Sequence, residues 1–316
     1  MRRVLPAIGL FFLAPLVAEF LLGDLPINLL AALVVLAPMY GGGALLIREV
    51  VRRTGGGWPR IFGLALAYAI FEEAFTTQTL FNPNYLHLNL HLLAPASIPA
   101  LGIGVWWTAF VLTLHTVWSI PVSVALAEAL VPDRANTPWL GRVGLAVTAV
   151  LFLLGAATST GITLKQDPFV ASRAQLAVAA LAVVVVIVAS FRLPHWPAVG
   201  GQAPSPWLAG AAALVAGSIF LVTPSGWAWG AVGVYALLDV AMIAVTSRWS
   251  RSDGWGGLHR LALAGGAALA YAWHAFLQNP AVGKGGPVDR IGNAIFAAGL
   301  IVLLAVAARR NAVPAS

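Results

Sequence analysis

Residues 58–81 read WPRIFGLALAYAIFEEAFTTQTLF, an apolar run that holds Tyr68, Glu72 and Glu73 in its middle. A second apolar run, residues 101–130, holds His115. A helix of about 20 apolar residues crosses the hydrocarbon core of a bilayer, so we expect both runs to span a membrane. Ionisable groups at that depth are costly and usually serve a function. The sequence therefore predicts a polar centre inside an apolar bundle.

Composition supports this class for the whole chain. Of its 316 residues, 60% are hydrophobic and only 9% are charged, whereas soluble domains carry about 25% charged residues. We predict an all-α polytopic helix bundle, a single integral membrane domain over residues 1–316 whose polar centre comes mainly from residues 58–130. The ten predicted spans are residues 4–22, 27–47, 59–81, 101–128, 143–163, 173–191, 206–223, 228–247, 261–279 and 291–308.

The distribution of basic residues predicts the orientation, since cytoplasmic loops carry an excess of Lys and Arg. With ten spans and both termini in the cytoplasm, only 4 of the 18 basic residues lie outside, namely Lys165, Arg173, Lys284 and Arg290. The other 14 lie inside: Arg2, Arg3, Arg48, Arg52, Arg53, Arg60, Arg134, Arg142, Arg192, Arg248, Arg251, Arg260, Arg309 and Arg310. The net charge of +7 therefore indicates contact with anionic membrane lipids and no nucleic-acid partner. The predicted location is the cytoplasmic (plasma) membrane.

The cysteine count excludes several kinds of chemistry. The chain has no cysteine, which removes disulfides, thiolate zinc sites, iron–sulfur clusters and cysteine nucleophiles. Any catalytic or metal centre must therefore use carboxylates, imidazoles and hydroxyls.

The adjacent acids Glu72 and Glu73 are the main candidates for such chemistry. Two neighbouring carboxylates in a low dielectric are not both ionised, so one can take up a proton while the other orients it. Spacings of four residues put Tyr68 and Thr76 on the helix face of Glu72, and Thr77 on that of Glu73. By the same spacing Ser119 shares a face with His115, and Gln278 shares one with His274.

These motifs resemble those of the CPBP family of intramembrane proteases, the CAAX-type and bacteriocin-processing enzymes. That family carries Glu-Glu-x-x-x-Arg, then Phe-x-x-x-His, then His-x-x-x-Asn/Asp on successive helices. Here Glu72-Glu73, then His115 after Phe110, then His274 before Asn279 follow that order, and Thr77 with Gln78 stands at the position of the arginine. The resemblance implies that Glu72 activates a water, that Glu73 orients, that His115 and His274 hold the water or a metal, and that Asn279 is an oxyanion donor. The substrate it implies is a membrane-embedded peptide.

A transporter is the alternative hypothesis. Tyr68-Ala-Ile-Phe-Glu72-Glu73-Ala and Tyr235-Ala-Leu-Leu-Asp239-Val-Ala share a pattern on the third and eighth spans, and the fourth and ninth spans each carry one buried histidine. Such matching is expected of a five-plus-five inverted repeat with a midplane site, where these acids would carry protons or cations for a small-molecule substrate. A third alternative is a structural or lipid-binding protein with a buried polar network. The cofactor is left open, with a divalent metal such as zinc as the candidate at His115, His274 and a glutamate.

Overall fold

The structure, a computed structural model, describes residues 4–194, 196–283 and 285–312, so that Arg2, Arg3 and Lys284 of the charge count lie outside it. Within these residues ten helices are found, one in each predicted segment. They are α1 (Leu5–Leu21), α2 (Ile27–Arg53), α3 (Trp58–Phe71 with the π-helical turn Glu72–Thr76), α4 (Val105–Ala129), α5 (Arg142–Gln166), α6 (Arg173–Arg192), α7 (Pro206–Val222), α8 (Trp229–Trp249), α9 (Gly257–His274) and α10 (Pro287–Ala312).

Six of these helices, in the described part of the chain, are long and apolar enough to cross a membrane: α2, α4, α5, α6, α8 and α10. Helices α1 and α7 are shorter apolar helices. Helix α3 carries Arg60, Glu72 and Glu73 within its 19 residues, and α9 has 18 residues. The all-helical prediction is thus confirmed, whereas the structure itself identifies six candidate spans rather than ten.

Two helix ends differ from the prediction in ways that affect the candidate site. The third span was expected to continue to residue 81, but α3 ends at Thr76, and Gln78 adopts a left-handed backbone with φ of 58°. Glu72 and Glu73 therefore lie in the last turn of α3 and not at its middle. Helix α9 ends at His274, so Gln278 and Asn279 are not on a helix face with it.

A long segment connects α3 to α4 and contains little regular structure. It includes a short 3₁₀ helix, Tyr85–His87, and two antiparallel strands of two residues each, Ser97–Ile98 and Ile103–Gly104. Its start is fixed to α5 because Asn82 donates a hydrogen bond to Asp167 at 2.7 Å.

Helix α4 lies at the centre of the bundle. In its apolar window 67% of residues are buried, against 11% in α6 and α8. One apolar cluster, around Tyr40 and Tyr68, packs on one side of α4. A second cluster, around Trp118 and Tyr271, joins α4 to α7, α9 and α10. The outer helices expose large apolar side chains, as expected of surfaces in contact with lipid.

Small residues let the helices around α4 approach closely, as in membrane bundles generally. A side-chain carbon at Gly41 of α2 would lie 1.9 Å from the carbonyl oxygen of Phe11 on α1. One at Gly43 would lie 2.6 Å from the ring of Tyr68 on α3. These two glycines therefore set the positions of α1 and α3 relative to α2.

The helix ends contact each other in two separate groups. In the first group, Arg52 at the end of α2 donates two hydrogen bonds to Glu128 at the end of α4, at 2.9 and 2.7 Å. Arg310 at the end of α10 donates to the carbonyl of Leu130, just beyond α4. Helices α2, α4 and α10 thus end together at this side.

The second group lies at the other ends of the helices. Gln278, which follows α9, donates to the carbonyl of Leu22 after α1 at 2.7 Å. The bond between Asn82 and Asp167 similarly joins the ends of α3 and α5. Helix α9 thus ends beside the end of α1, and α3 ends beside the end of α5.

Candidate functional site

Three helices change from α to π geometry where they carry ionisable residues. The π-helical turns are Leu16–Leu21 with Glu19, Glu72–Thr76 with both adjacent acids, and His115–Val122. In α3 the wider turn is closed by a bond from the amide of Thr77 to the carbonyl of Glu72 at 3.0 Å. Single π turns inside α-helices occur frequently at functional sites. Here the three turns bring their side chains together.

Glu73 is fixed by three hydrogen-bond donors. His115 Nε2 lies 2.9 Å from Glu73 Oε1, the hydroxyl of Thr77 donates to Oε2 at 3.0 Å, and the hydroxyl of Thr79 donates to the same oxygen. Thr79 is itself held by the indole N–H of Trp107 at 2.9 Å. Because the hydroxyls of Thr77 and Thr79 both donate to this carboxylate, we infer that it also accepts from Nε2 of the imidazole. Glu73 therefore fixes the orientation of His115.

The second nitrogen of the same imidazole faces two other groups. His115 Nδ1 lies 2.9 Å from the hydroxyl oxygen of Ser119, one turn along α4. It also lies 3.4 Å from Glu72 Oε2. The imidazole thus lies between the two glutamates, with Ser119 beside it. Glu72, Glu73, His115 and Ser119 are all at least 95% buried.

Glu72 differs from Glu73 in lacking such donors. In the described residues, Glu72 Oε2 makes no hydrogen bond, and neither do the hydroxyls of Tyr68 and Thr76 on the same face of α3. Buried polar atoms are paired in the great majority of cases. The three unpaired oxygens on this helix face therefore favour a small polar partner, such as water. The two neighbouring acids have different environments, one saturated and one open.

Glu19 and Tyr40 also belong to this centre, although neither was among the site residues predicted from the sequence. The hydroxyl of Tyr40 donates to Glu19 Oε1 at 2.5 Å, and its ring centroid lies 6.0 Å from that of His115. The signal that could have identified Glu19 is Pro15, because a proline inside a helix removes a backbone donor and disturbs the regular α-helix. Pro121 lies inside the π turn of His115.

The same groups could hold a divalent cation. Ligand atoms of Glu72, Glu73 and His115 all lie within 4.8 Å of one another. Imidazole and carboxylate are zinc ligands. The sequence predicted His115, His274 and one glutamate as metal ligands. Among the described residues the cluster instead consists of His115 and both glutamates.

Comparison with known proteins places the chain in a family. Residues 9–284 match the model of a family described as an uncharacterized membrane protein family. The chain belongs to this uncharacterized membrane protein family. No curated protein matches it, and no solved structure does. The match supports an integral membrane protein in contact with lipid. It does not support membership of the CPBP family. The resemblance to that family therefore concerns only the chemistry of particular residues.

In this family member the remaining predicted site residues lie elsewhere. His274, at the end of α9, is close to the backbone of Leu221 on α7. Asn279 is exposed in the loop beyond α9, because the helix ends five residues earlier. The side chain of Gln78 accepts a hydrogen bond from the amide of Ala171 at 2.7 Å and supports the turn after α3.

Asp239 pairs with a different face of α4. Its Oδ2 accepts a hydrogen bond from the hydroxyl of Thr113 at 3.0 Å. Thr113 precedes His115 by two residues, and residues two apart on a helix do not face each other. Asp239 is therefore separated from the two glutamates by α4 itself.

The turn between α1 and α2 lies next to the centre. Asp24 in this turn accepts a hydrogen bond from Gln278 at 3.1 Å. Burial raises the pKa of Asp24 to about 7, and the nearby carboxylate of Glu19 adds to the rise. This carboxyl is thus a titrating neighbour of the site at neutral pH.

Proposed function

We propose that the protein is an intramembrane hydrolase in which Glu72 activates a water molecule for attack on a membrane-embedded peptide. The observation that carries the proposal is the asymmetry of the two acids. Glu73 is saturated by three donors, whereas Glu72 Oε2 and its neighbours Tyr68 and Thr76 have no hydrogen-bond partner in the described residues. An open carboxylate next to an oriented imidazole is the arrangement that general acid–base catalysis requires.

The proposed reaction has two proton transfers. Glu72 takes a proton from water as the oxygen attacks the carbonyl carbon of the scissile amide. The C–N bond then breaks, and Glu72 returns the proton to the departing amine. The net reaction consumes one water and forms a carboxylic acid and an amine, and a proton then passes between these products to give a carboxylate and an ammonium group.

The neighbouring groups have supporting roles in this proposal. Glu73 holds His115, and Nδ1 of the imidazole is then directed at Glu72 and Ser119. Asn279 is replaced as the oxyanion donor by the Tyr68 hydroxyl, which lies on the same helix face as Glu72 and is buried. A zinc ion on the same three groups would polarise the water as a Lewis acid.

The test is hydrolysis by the purified full-length protein in nanodiscs. A pool of apolar transmembrane peptides is incubated in ¹⁸O-labelled water, and products are detected by mass spectrometry. The parent should produce fragments with ¹⁸O in the new carboxylate, and Glu72→Gln should reduce their amount at least about 100-fold, as loss of a general base does. Asp239→Asn is the matched control and should cleave like the parent. Equal cleavage by Glu72→Gln would contradict the proposal.

A proton- or cation-coupled transporter is the second candidate. Three carboxylates lie in one centre, because Tyr40 connects Glu19 to the group around His115. Chains of such groups occur in proton relays. Asp239 distinguishes the transporter from the hydrolase, because only the inverted-repeat transporter hypothesis requires this residue. In proteoliposomes with an internal pH-sensitive dye, Asp239→Asn should abolish ion flux if the transporter hypothesis holds, and no flux is expected if the hydrolase hypothesis holds.

A structural role gives a third pattern. If the polar centre only holds helices together, Glu72→Gln should lower the stability strongly and neither cleavage nor flux should be measured.

We also infer ten spans with both termini in the cytoplasm. The two groups of helix ends, which include seven of the ten helices, support alternating traverses by α3 and α9 as well as by the longer apolar helices. The group that contains Arg52 and Arg310 lies on the side with the excess of basic residues. Attachment of a reporter to either terminus should give cytoplasmic signals only.

A further inference from the structure

A pocket of about 320 Å³ lies between the ends of four helices, away from the glutamate centre. Its lining includes Trp58 at the start of α3, Glu128 at the end of α4, Arg260 near the start of α9, and Arg310 near the end of α10. Trp58 precedes Glu72 by 14 residues, which in a helix is about 21 Å. The pocket and the glutamate centre are thus at opposite ends of α3.

The positive charge in this pocket is not balanced by carboxylates. Glu128 is neutralised, because Arg52 donates two bonds to it and Arg48 Nε lies 2.9 Å from its Oε1. Among the described residues, neither Arg260 nor Arg310 forms an ion pair with a carboxylate. The remaining acid in the lining is Asp133, which is exposed to solvent. Both guanidinium groups therefore keep N–H donors for an anion, although Arg310 also donates one hydrogen bond to the carbonyl of Leu130.

The backbone adds to this preference. Helix α9 begins at Gly257, which lines the pocket. The N-terminus of a helix presents free N–H groups and a partial positive charge, which favour phosphate. Asn311 fixes the opposite wall, since its amide donates to the carbonyl of Ala129 at 2.7 Å. The site is therefore held in place by contacts between α4 and α10.

Size and lining indicate which anion fits. At about 30 Å³ per water molecule, the pocket has room for roughly ten waters, enough for a phosphate with a small organic group. Arg binds phosphate through two parallel hydrogen bonds. Trp58 provides an apolar and aromatic wall of the kind found at the membrane interface.

We propose that this pocket binds a phosphate group, supplied by an anionic phospholipid headgroup or by a soluble phosphate compound. The pocket lies on the side with the basic excess, where basic pockets between helices bind anionic headgroups. The proposal is independent of hydrolysis at Glu72.

Two arms of one experiment test the proposal and separate the sources. In the first, the full-length protein in micelles is titrated with phosphatidylglycerol or phosphatidylcholine, and bound lipid is counted by native mass spectrometry. In the second, inorganic phosphate is added and the melting temperature is recorded. A lipid source predicts tighter binding of phosphatidylglycerol than of phosphatidylcholine. A soluble source predicts a rise of melting temperature with phosphate, since a ligand of the folded state stabilises it.

Variants then assign the effect to the pocket. Arg260→Gln and Arg310→Gln should each weaken the observed binding about tenfold or more, as expected for loss of a charged hydrogen bond. Arg309→Gln is the matched control, because it removes the same charge one residue from Arg310 and outside the lining, and it should change binding less than about twofold. Arg260→Lys keeps the charge and should retain part of the binding even if Arg260→Gln fails to fold. Absence of both effects in the parent, or equal losses for Arg309→Gln and Arg260→Gln, would overturn the proposal.

Discussion

Replacement of Glu73 by glutamine should destabilise the protein more than the same replacement of Glu72. Glu73 accepts hydrogen bonds from His115, Thr77 and Thr79. An amide has one acceptor oxygen, so Glu73→Gln turns an N–H₂ group toward at least one of these buried donors. A hydrogen bond to a charged group contributes about 1.5–3 kcal/mol, and we expect a loss of about 2–3 kcal/mol.

Glu72→Gln should cost much less. Within the described chain, one oxygen of Glu72 has no hydrogen-bond partner, and its contact with His115 is 3.4 Å long. We therefore expect its free energy of unfolding to stay within about 1 kcal/mol of the parent.

The assay is reversible unfolding in mixed micelles by titration with SDS, followed by tryptophan fluorescence. Asp239→Asn serves as the control, because Asn keeps an acceptor for the single bond from Thr113. If Glu72→Gln lowers the free energy of unfolding as much as Glu73→Gln does, the two acids are equivalent and the division of roles is refuted.

Three further predictions concern packing, metal and pH. Gly43→Val should lower the melting temperature and reduce cleavage, because a side chain there displaces the Tyr68 ring. Gly233→Val is the control and should retain activity, because Gly233 lies on α8 with open space around it. Zinc should raise the melting temperature of the parent but not of His115→Ala, since a cation stabilises the state that binds it; an equal rise in both would exclude these ligands. Asp24→Asn should become more stable relative to the parent as pH rises from about 4 to 7. The reason is that the pKa of Asp24 is raised from 3.8 to about 7 in the folded state, and ionising this partly buried carboxyl weakens folding across that range. A stability difference that does not vary with pH would show that the pKa of Asp24 is not raised.

The sequence was sufficient for the helices and for part of the centre. Apolar runs of sufficient length predicted all ten helical segments, and charge in the middle of such a run identified Glu72, Glu73 and His115. Each of these inferences depends on residues close together in the chain, where burial cost and helical spacing apply directly.

The missing parts depend on contacts between distant segments. Glu19 reaches the centre because a π turn follows Pro15 and α1 packs closely on α2 at Gly41. His274 and Asn279 were grouped with His115 by the order of motifs, but the order of helices along the chain does not determine which faces meet. The end of α3 at Thr76 depends on hydroxyls that bond back to Glu73, which hydropathy does not report.

The proposed hydrolase requires that Glu72, unlike Glu73, faces a bound water. The decisive measurement is an experimental structure of the protein in lipid nanodiscs at a resolution that shows water. We expect density for a water, or for an ion in its place, within about 3 Å of Glu72 Oε2 and close to the Tyr68 hydroxyl. A dry centre in which Tyr68 donates directly to Glu72, with apolar side chains filling the remaining space, would contradict the proposal.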